Sequence, residues 1–401
     1  MIAETLTVEP PACADLVGRA VGLHELIRGG ASRSDAERRV PDEVVAALTG
    51  AGLCRLGTPR RYGGYEAPLG TWLEVCSAVA EADGSAGWLS TLFNAGAYIV
   101  ALFPEQAQRE VFGSDPDTLV CGVIAPTSRS RRTDGGWRVT GRWYYASGSL
   151  HARWAVLGTP VTDAAGESVD QGVVLVPRDQ LALEDTWFTT GMRGSGSNCL
   201  IAQDVFVPAH RMASVSRALE GAAADASGHG DSALYRSNVG SVLCLVLTAP
   251  LLGLGRAALG LVREQAATKS VPYSRYTRQA DSTAFQLQLA EAALRIDTAH
   301  LHARRAAEDV DRAGAEGRPL APFLRARVRA DTGYAAENTT RALDLLMSAH
   351  GAAGFAESSA LQRIWRDAGL AARHGSVSGA VGYEAFGQVL AGLEQNVTPM
   401  I

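Results

Sequence analysis

The stretch GWRVTGRWYYASG at residues 136–148 decides the fold, because it interrupts a chain whose other long segments read as helical. Its β-branched and aromatic residues favour a strand, and the Asp134-Gly135-Gly136 turn before it is typical of a β-hairpin. Similar short runs, split by glycine, aspartate or proline, are TLVCGVIAP at 118–126, RWAVLGTPV at 153–161, QGVVLVP at 171–177 and CLIAQDVFVP at 199–208. We therefore predict a compact β-domain at residues 118–232, with a loop or linker at 215–232.

Helical patterns flank this β-domain on both sides. Before it, Pro41 predicts the start of one helix, and residues 72–80 carry apolar side chains at helical spacing. After it, segments at about 234–268, 284–313 and 323–349 are rich in Ala, Leu and Arg, and their length indicates a helix bundle. The prediction is an N-terminal helical domain at 1–117 and a helical C-terminal domain at 233–401, so the protein is mostly α with a central β-domain.

Composition limits what the chain binds. The 47% of hydrophobic residues describe a globular protein, and the net charge of -5 without a basic block argues against nucleic acid as a partner. The six cysteines show no metal-binding spacing, so we expect no metal site and reduced thiols in a cytoplasmic protein. The N-terminus lacks the apolar core of a signal peptide. The uncharged stretch 239–255 is short and contains Pro250, which predicts a buried helix rather than a membrane span.

Several blocks, in order and at matching spacing, resemble the acyl-CoA dehydrogenase superfamily. They are RYGG at 61–64, CGVIAP at 121–126, GRWYYASG at 141–148, GMRGSGS at 191–197 followed by DVFVP at 204–208, GAAGF at 351–355 and WRDA at 365–368. The resemblance covers essentially the whole chain. It implies the acyl-CoA dehydrogenase fold, in which a flavin lies between an N-terminal helical domain, a middle β-barrel-like domain and a C-terminal four-helix bundle.

The carboxylate that a dehydrogenase of this superfamily needs is absent. That reaction requires a base for the α-proton of a thioester, and the resemblance places the base nine residues beyond Arg366, at Gly375. A second branch of the superfamily carries it on the first long helix of the bundle, but residues 233–263 contain no Glu or Asp. His374 stands beside the vacant position. This pattern, with an ending like GYEAFG…TPMI, resembles the oxygenase components of two-component flavin monooxygenases.

The narrower resemblance implies a chemistry. Reduced FAD or FMN arrives from a separate NAD(P)H-dependent reductase and reacts with O2 to a C4a-hydroperoxide, which oxygenates an aromatic, indole or amine substrate in natural-product biosynthesis or aromatic catabolism. It also implies a homotetramer. Phenol hydroxylases of this group often carry a histidine on the helix where this chain has Asn94. Their phenol substrates therefore fit this chain less well than an indole, another arene or an amine.

The resemblance also assigns roles to single residues. Ser147 falls where the superfamily places a hydroxyl near flavin N5, and a hydroxyl can accept from N5–H without adding charge. His374 is expected to donate to the peroxide oxygen or to shuttle a proton. Trp88 and Asn94 are expected at the substrate pocket. Further flavin contacts are expected from Gly122, Val123, Ile124, Tyr145, Ala146, Ala352 and Ala353, and from Arg275 and Arg278, which would reach a flavin in the neighbouring subunit.

Two alternatives stay open on the sequence alone. An acyl-CoA dehydrogenase or oxidase with a displaced base would hold oxidised FAD tightly and would be bleached by an acyl-CoA. A non-catalytic homologue would bind flavin in neither redox state. Each of the two central residues also has a purely structural explanation. Ser147 would satisfy backbone groups at a strand end, and His374 would be a packing residue.

Overall fold

The computed structural model describes residues 10–163, 167–221, 224 and 227–401. The first helices are α1 Cys13–Gly22, α2 His24–Glu37, α3 Asp42–Gly50, α4 Leu69–Ala80, α5 Gly84–Ala101 and α6 Glu105–Phe112. The strands are β1 Val120–Val123, β2 Ser128–Thr133, β3 Gly136–Ala146, β4 Trp154–Thr162, β5 Ser168–Pro177, β6 Ala182–Glu184, β7 Asn198–Pro208 and β8 Met212–Ser214. The remaining helices are α7 Val215–Leu219, α8 Ala233–Arg236, α9 Val239–Leu245, α10 Ala249–Gln265, α11 Thr283–Ala315, α12 Pro322–His350, α13 Ala360–Ala371 and α14 Gly379–Leu390.

The strands form two four-stranded sheets, in the orders β1-β4-β5-β8 and β2-β3-β7-β6. Trp143 of β3 ties the two sheets together, because its buried indole Nε1 donates to the Gly158 carbonyl oxygen of β4 at 2.7 Å. The pairing of β3 with β7 then shifts between Trp143 and Ala146. An irregularity of this kind re-aims the side chains of a strand, and it falls where the strand reaches the candidate site.

Helix α5 connects the N-terminal helices with the β-region. It begins at Asp83, whose side chain accepts from the Ala86 backbone N–H at 2.9 Å, the usual cap of a helix start. It is buried almost throughout and contains no charged residue. Gly96 lies against β1, and a Cβ there would stand 2.3 Å from the Val120 carbonyl oxygen. Only glycine allows the helix to approach the strand this closely.

The C-terminal helices form a bundle around α12. The segment predicted as one helix at 234–268 is divided by a 3-10 turn at Val246–Thr248, and Pro250 stands in the first turn of α10, where a proline costs no hydrogen bond. Val239–Gln265 is long and apolar enough to cross a membrane, but 83% of its most apolar window is buried inside the protein. It is therefore a core helix of the part of the chain that the structure describes, as the sequence predicts.

The connection after the strands differs from the expectation. The sequence predicts a loop or linker at 215–232, yet its first residues form α7, because the Ser214 hydroxyl accepts from the Arg217 backbone N–H at 3.1 Å and caps the turn. Part of this segment lies outside the described residues. At the other boundary, the last N-terminal helix, α6, ends at Phe112, and the first strand begins at Val120. The predicted domain limits at 117 and 232 stay a prediction.

Candidate active site

One wall of the candidate site is a chain of serine hydroxyls behind the end of β3. Ser147 is buried, and its Oγ lies 2.6 Å from Ser197 Oγ, which in turn lies 2.7 Å from Ser195 Oγ. The Ser195 hydroxyl donates to the Met192 carbonyl oxygen at 2.7 Å. On the other side, Trp88 Nε1 donates to Ser147 Oγ at 3.2 Å. The three serines are thus linked from α5 to the loop before β7.

The hydrogen bonds of this serine chain can run in one direction only. A carbonyl oxygen cannot donate, so the hydroxyl hydrogen of Ser195 is used on Met192. Ser197 must therefore donate to Ser195, and Ser147 must donate to Ser197. Ser147 Oγ also accepts from Trp88, which leaves it one lone pair and no free hydrogen. Towards any ligand in front of it, Ser147 acts as a hydrogen-bond acceptor.

The opposite wall is the loop between α13 and α14, which carries His374. The His374 ring lies edge-on to the Trp88 ring, with centroids 5.7 Å apart. Its Nδ1 accepts from the Ser376 backbone N–H at 3.2 Å, so the neutral ring carries its hydrogen on Nε2. Removal from water, and then the positive charge of Arg329, lower the pKa of His374 below its ordinary value. His374 is nevertheless exposed, so the ring borders open space.

The position that dehydrogenases fill with a carboxylate is open. A Cβ at Gly375 would meet no atom within 4 Å, so the fold would accommodate a side chain there. The lack of a carboxylate is thus a property of the sequence and not a steric requirement. The backbone at this point is held from behind, because Arg329 Nη2 donates to the Gly375 carbonyl oxygen at 2.7 Å.

The residues predicted to face the flavin ring lie at the ends of β1 and β3. Tyr145 exposes 71% of its surface and has a φ of 67°, a strained value for a residue other than glycine. Its ring meets the Trp187 ring edge-on at 6.0 Å. In β1, Gly122 and Val123 are half-buried, and so is Ile124 immediately after it. An exposed aromatic ring, a half-buried strand end and an acceptor hydroxyl are a surface that suits a planar ring with a polar N–H.

Four other predicted flavin contacts lie together at the C-terminal end of α12, away from Ser147 and His374: they are Arg275, Arg278, Ala352 and Ala353. The loop after α10, which carries Arg275 and Arg278, is anchored to the end of α12: Lys269 Nζ donates to the His350 carbonyl oxygen at 2.6 Å, and Gln279 Nε2 to that of Ala349 at 3.1 Å. Ala352 and Ala353 follow directly in the next turn. All four predicted residues are exposed. Arg278 pairs with Asp281 at 2.8 Å, whereas Arg275 has no partner among the described residues.

The arginine loop and the turn with Ala352 and Ala353 are far from His374 in the same chain. Arg329, which contacts the His374 loop, and His350, which contacts the arginine loop, are both on α12. They are 21 residues apart in the helix, and at the usual rise of an α-helix this corresponds to about 30 Å. One chain therefore does not bring Arg275 and Ala352 next to its own His374.

Asn94 does not join the cluster. It is fully buried, and its side chain bonds backbone only: Oδ1 accepts from Leu56 N at 2.7 Å, and Nδ2 donates to Leu53 O and Ser90 O, both at 2.8 Å. The expectation that Asn94 lines the substrate pocket is not met, because its polar atoms fasten α5 to the loop after α3. Trp88, the other residue expected there, lies between Ser147 and His374.

Three contributors were missed in the sequence. Ser195 and Ser197 stand in the quoted GMRGSGS block, but nothing in the block shows that their hydroxyls meet Ser147. Arg329 is one of several arginines at the start of α12, and no sequence pattern separates it from the others. Only the close packing of α12 against the His374 loop distinguishes it.

An acceptor hydroxyl and an opposing neutral histidine, in a β-region enclosed by helices, agree with the flavin-dependent oxygenase that the sequence predicts. Family models agree with the acyl-CoA dehydrogenase fold: "Acyl-CoA dehydrogenase, N-terminal domain" matches residues 23–113 and "Acyl-CoA dehydrogenase, C-terminal domain" matches residues 245–378. The chain is 32% identical over 361 residues to the flavin-dependent monooxygenase oxygenase subunit HsaA of Mycobacterium tuberculosis, covering 90% of this chain and 91% of the relative.

Two further comparisons point the same way. The identity is 32% over 390 residues to the FADH(2)-dependent resorcinol hydroxylase, oxygenase component, of Rhizobium sp., covering 94% of each chain. The solved structure of XiaF from Streptomyces sp., in complex with FADH2 and glycerol, matches with a TM-score of 0.92 and 38% identity, covering 97% of this chain and 98% of that one. The chain belongs to the flavin-dependent monooxygenase oxygenase components of the acyl-CoA dehydrogenase superfamily. The prediction of a flavin-dependent monooxygenase is thereby confirmed.

Proposed function

We propose that this enzyme takes reduced FAD or FMN from a separate NAD(P)H-dependent reductase in the cytoplasm and hydroxylates a small aromatic, indole or amine substrate with O2. The observation that carries this proposal is the direction of the serine chain. Flavin N5 bears a hydrogen only when the flavin is reduced, and in oxidised flavin N5 is itself an acceptor. Since Ser147 Oγ has a lone pair but no free hydrogen, it favours the reduced form.

The residues of this chain would then divide the work between the two walls. Ser147 would accept from N5–H, Tyr145 would cover the ring, and the backbone of residues 122–124 would bind its polar edge. When bound, reduced flavin supplies the electrons that activate O2 for transfer of one oxygen atom to the substrate. His374 would donate from Nε2–H at the oxygen, and would take up or release a proton there as the reaction proceeds. Trp88 keeps water out between the two walls.

Two observations support the proposed substrate class: the names of the relatives and the residues of helix α5. Relatives that align with this chain are named resorcinol hydroxylase, p-hydroxyphenylacetate 3-hydroxylase and indole-3-acetate monooxygenase, which favours an electron-rich ring. Helix α5 offers no histidine or carboxylate along Gly84–Ala101 to deprotonate a phenol. Its one ionisable side chain, Tyr98, is fully buried, and burial raises the pKa of this phenol well above its ordinary value. An indole or another arene that reacts without deprotonation suits the site best.

A homotetramer is part of the proposal, because one chain leaves its own site incomplete. The distance of about 30 Å along α12 supports this, because Arg275 and Ala352 would then serve a flavin bound mainly by another copy. Helix α11 also exposes Leu287, Leu294 and Leu301, each by about two-thirds of its surface. Their seven-residue spacing forms a stripe typical of helix-to-helix contacts. Light scattering after gel filtration should give a tetramer, and Leu294→Glu should dissociate it, whereas Glu291→Gln on the same helix should not.

The decisive experiment compares flavin binding in both redox states by anaerobic equilibrium dialysis. Reduced flavin should bind at least tenfold more tightly than oxidised flavin, and FAD and FMN tested in parallel identify the preferred form. A protein that purifies with stoichiometric oxidised FAD and is bleached by an acyl-CoA would be a dehydrogenase instead. Binding of neither form would indicate a non-catalytic homologue.

A further inference from the structure

A buried cation without a counter-ion lies directly behind the His374 loop. Arg329 is 4% exposed. Nη2 donates to the Gly375 carbonyl oxygen at 2.7 Å, and Nη1 to Thr332 Oγ1 at 3.4 Å. No carboxylate pairs with it among the described residues, in contrast to most arginines of this part of the chain. Burying an unpaired guanidinium is costly, and burial lowers the pKa of Arg329 below its ordinary value.

We infer that Arg329 is a positioning residue for His374: it orients the Gly375–Ser376 peptide so that the imidazole holds its hydrogen on Nε2, and its charge opposes protonation of that imidazole. The inference rests on the proposed function only in that His374 handles a proton there. The arrangement itself involves only groups of this chain. It assigns a role to a side chain that does not reach the reacting atoms.

The orientation follows from the geometry of one peptide group. The Gly375 carbonyl and the Ser376 N–H belong to the same planar unit and point in opposite directions. Arg329 binds the carbonyl end, and the N–H end meets His374 Nδ1 at 3.2 Å. Fixing one end therefore fixes the other, and each hydrogen bond polarises the peptide in favour of the next. Nδ1 is thereby kept as the acceptor, so Nε2 keeps the hydrogen.

The charge effect is not cancelled by neighbouring groups. From α9, Cys244 faces Arg329 and Ser376, but burial raises the pKa of this thiol, so it stays neutral. Helix α5 presents no charged side chain, and neither does the turn Val246–Thr248. The residue before His374 is Arg373, which is exposed and also positive. Among the described residues, the charge that acts on the pKa of His374 is that of the buried Arg329, and it disfavours the imidazolium.

The test is an NMR titration of the imidazole nitrogens in ligand-free protein, with His374→Gln used to assign the signal. In the wild type, His374 should titrate below its ordinary range and show the Nε2–H tautomer. Arg329→Met should raise the proton affinity of His374 about three- to tenfold, as expected for the loss of one nearby charge in a partly buried site. It should also mix the two tautomers of the His374 ring. Arg329→Gln lacks the charge, and its shorter side chain does not reach the Gly375 carbonyl, so this variant should also raise the proton affinity of His374 and mix its tautomers.

Arg327→Met is the matched control. Arg327 lies on the same helix and is paired with Asp309, so its loss should leave the His374 titration unchanged. If Arg329→Met does not fold, Arg329→Gln and Arg329→Lys carry the comparison, and the lysine variant should keep the low proton affinity. Wild-type titration and tautomer in the folded glutamine or methionine variant would overturn the inference. Since no flavin is present, a failure of the proposed function leaves this result unaffected.

Discussion

The two walls of the site handle hydrogen in different ways. In the β-region, three uncharged hydroxyls pass their hydrogens in one direction to the Met192 carbonyl, so Ser147 is an acceptor at every ordinary pH. In the helical region, His374 can gain or lose a proton, and its pKa is lowered by partial removal of the ring from water and by the charge of Arg329. The difference teaches how the proposed function would be divided: the β-region would recognise the redox state of the flavin, and the helical loop would move protons.

The two walls meet in a contact region formed by Met192, Asp83 and Asp367, which we call the seam. Both of its carboxyl groups are buried. Asp367 of α13 accepts from the Met192 backbone N–H at 2.6 Å, and Met192 is also where the serine chain ends. Burial and the neighbouring Asp83 raise the pKa of Asp367 to about 8, and burial raises that of Asp83 to about 6. Because the two carboxyls repel each other when both are ionised, they titrate as a pair. The seam therefore favours at least one proton at neutral pH.

The largest expected effect is on the helical wall. His374→Ala should slow hydroxylation by about 10²–10⁴-fold, the usual contribution of a positioned proton donor, while the affinity for reduced flavin changes little. Single-turnover kinetics and anaerobic dialysis measure the two quantities separately. His210→Ala, a histidine paired with Glu110 on the far side of the β-region, should leave both unchanged. Hydroxylation at the wild-type rate in His374→Ala would reduce the histidine to a packing residue.

The next effect concerns the seam. Asp367 binds its proton more tightly in the fold than in the unfolded chain, so the stability it contributes is present at low pH and is lost as the pH rises from about 4 towards 8. Asp367→Asn carries no such charge and can still accept from Met192. The variant should therefore be more stable than the wild type at pH 8–9, by about 1.4 kcal/mol or more, which is one pKa unit.

Urea unfolding at pH 5 and pH 9 tests this prediction. The stability gain of Asp367→Asn should shrink towards pH 5, where the wild-type carboxyl is protonated. Asp344→Asn is the control, because Asp344 is exposed and accepts from Trp365 Nε1 at 2.7 Å, a bond that asparagine keeps. A gain that is equal at both pH values would show that the seam is not protonated in the wild type.

On the β-region wall the expected effect is smaller. Ser147→Ala removes the acceptor for N5–H, and one neutral hydrogen bond contributes about 0.5–1.5 kcal/mol. The ratio of released H2O2 to hydroxylated product should rise roughly three- to tenfold, and the preference for reduced over oxidised flavin should narrow by a similar factor. An unchanged ratio with an unchanged preference would remove Ser147 from the site. The fold should stay intact, since Ser147 supports no backbone group with its hydroxyl.

The sequence predicts the parts of the site that depend on local pattern. β-Branched and aromatic residues after a hairpin turn place β3, and the end of β3 places Ser147. The Arg-Asp-Ala block places His374 one residue before the empty base position. The positive φ of Tyr145 and the register shift before Ala146 are not readable from the sequence, because they depend on how β3 pairs with β7. The outward direction of Tyr145 follows from that pairing.

The sequence is least informative where distant elements meet. Asn94 resembles a pocket residue by position, yet its amide is consumed by backbone groups 38 and 41 residues away in the chain. Arg329 and Asp367 look like ordinary surface charges in a helix, and only packing makes them buried. The pairing of Ser147 with Ser197 spans 50 residues. Such contacts are set by tertiary structure, which no local periodicity encodes.

The smallest effect separates the direction of the serine chain from its mere presence. Ser197→Ala leaves Ser147 in place but removes the oxygen to which Ser147 donates. The Ser147 hydrogen is then free to turn towards the ligand, where it opposes N5–H of reduced flavin and suits the bare N5 of oxidised flavin. The preference for reduced flavin should therefore fall about two- to threefold, less than in Ser147→Ala, because the hydroxyl can still rotate to accept. Anaerobic dialysis with both flavin states measures this preference.

Ser149→Ala is the matched control, since the buried Ser149 Oγ has no partner among the described residues. If Ser197→Ala keeps the full preference, Ser147 accepts without help from the chain, and the two walls differ in charge but not in the way their hydrogens are directed.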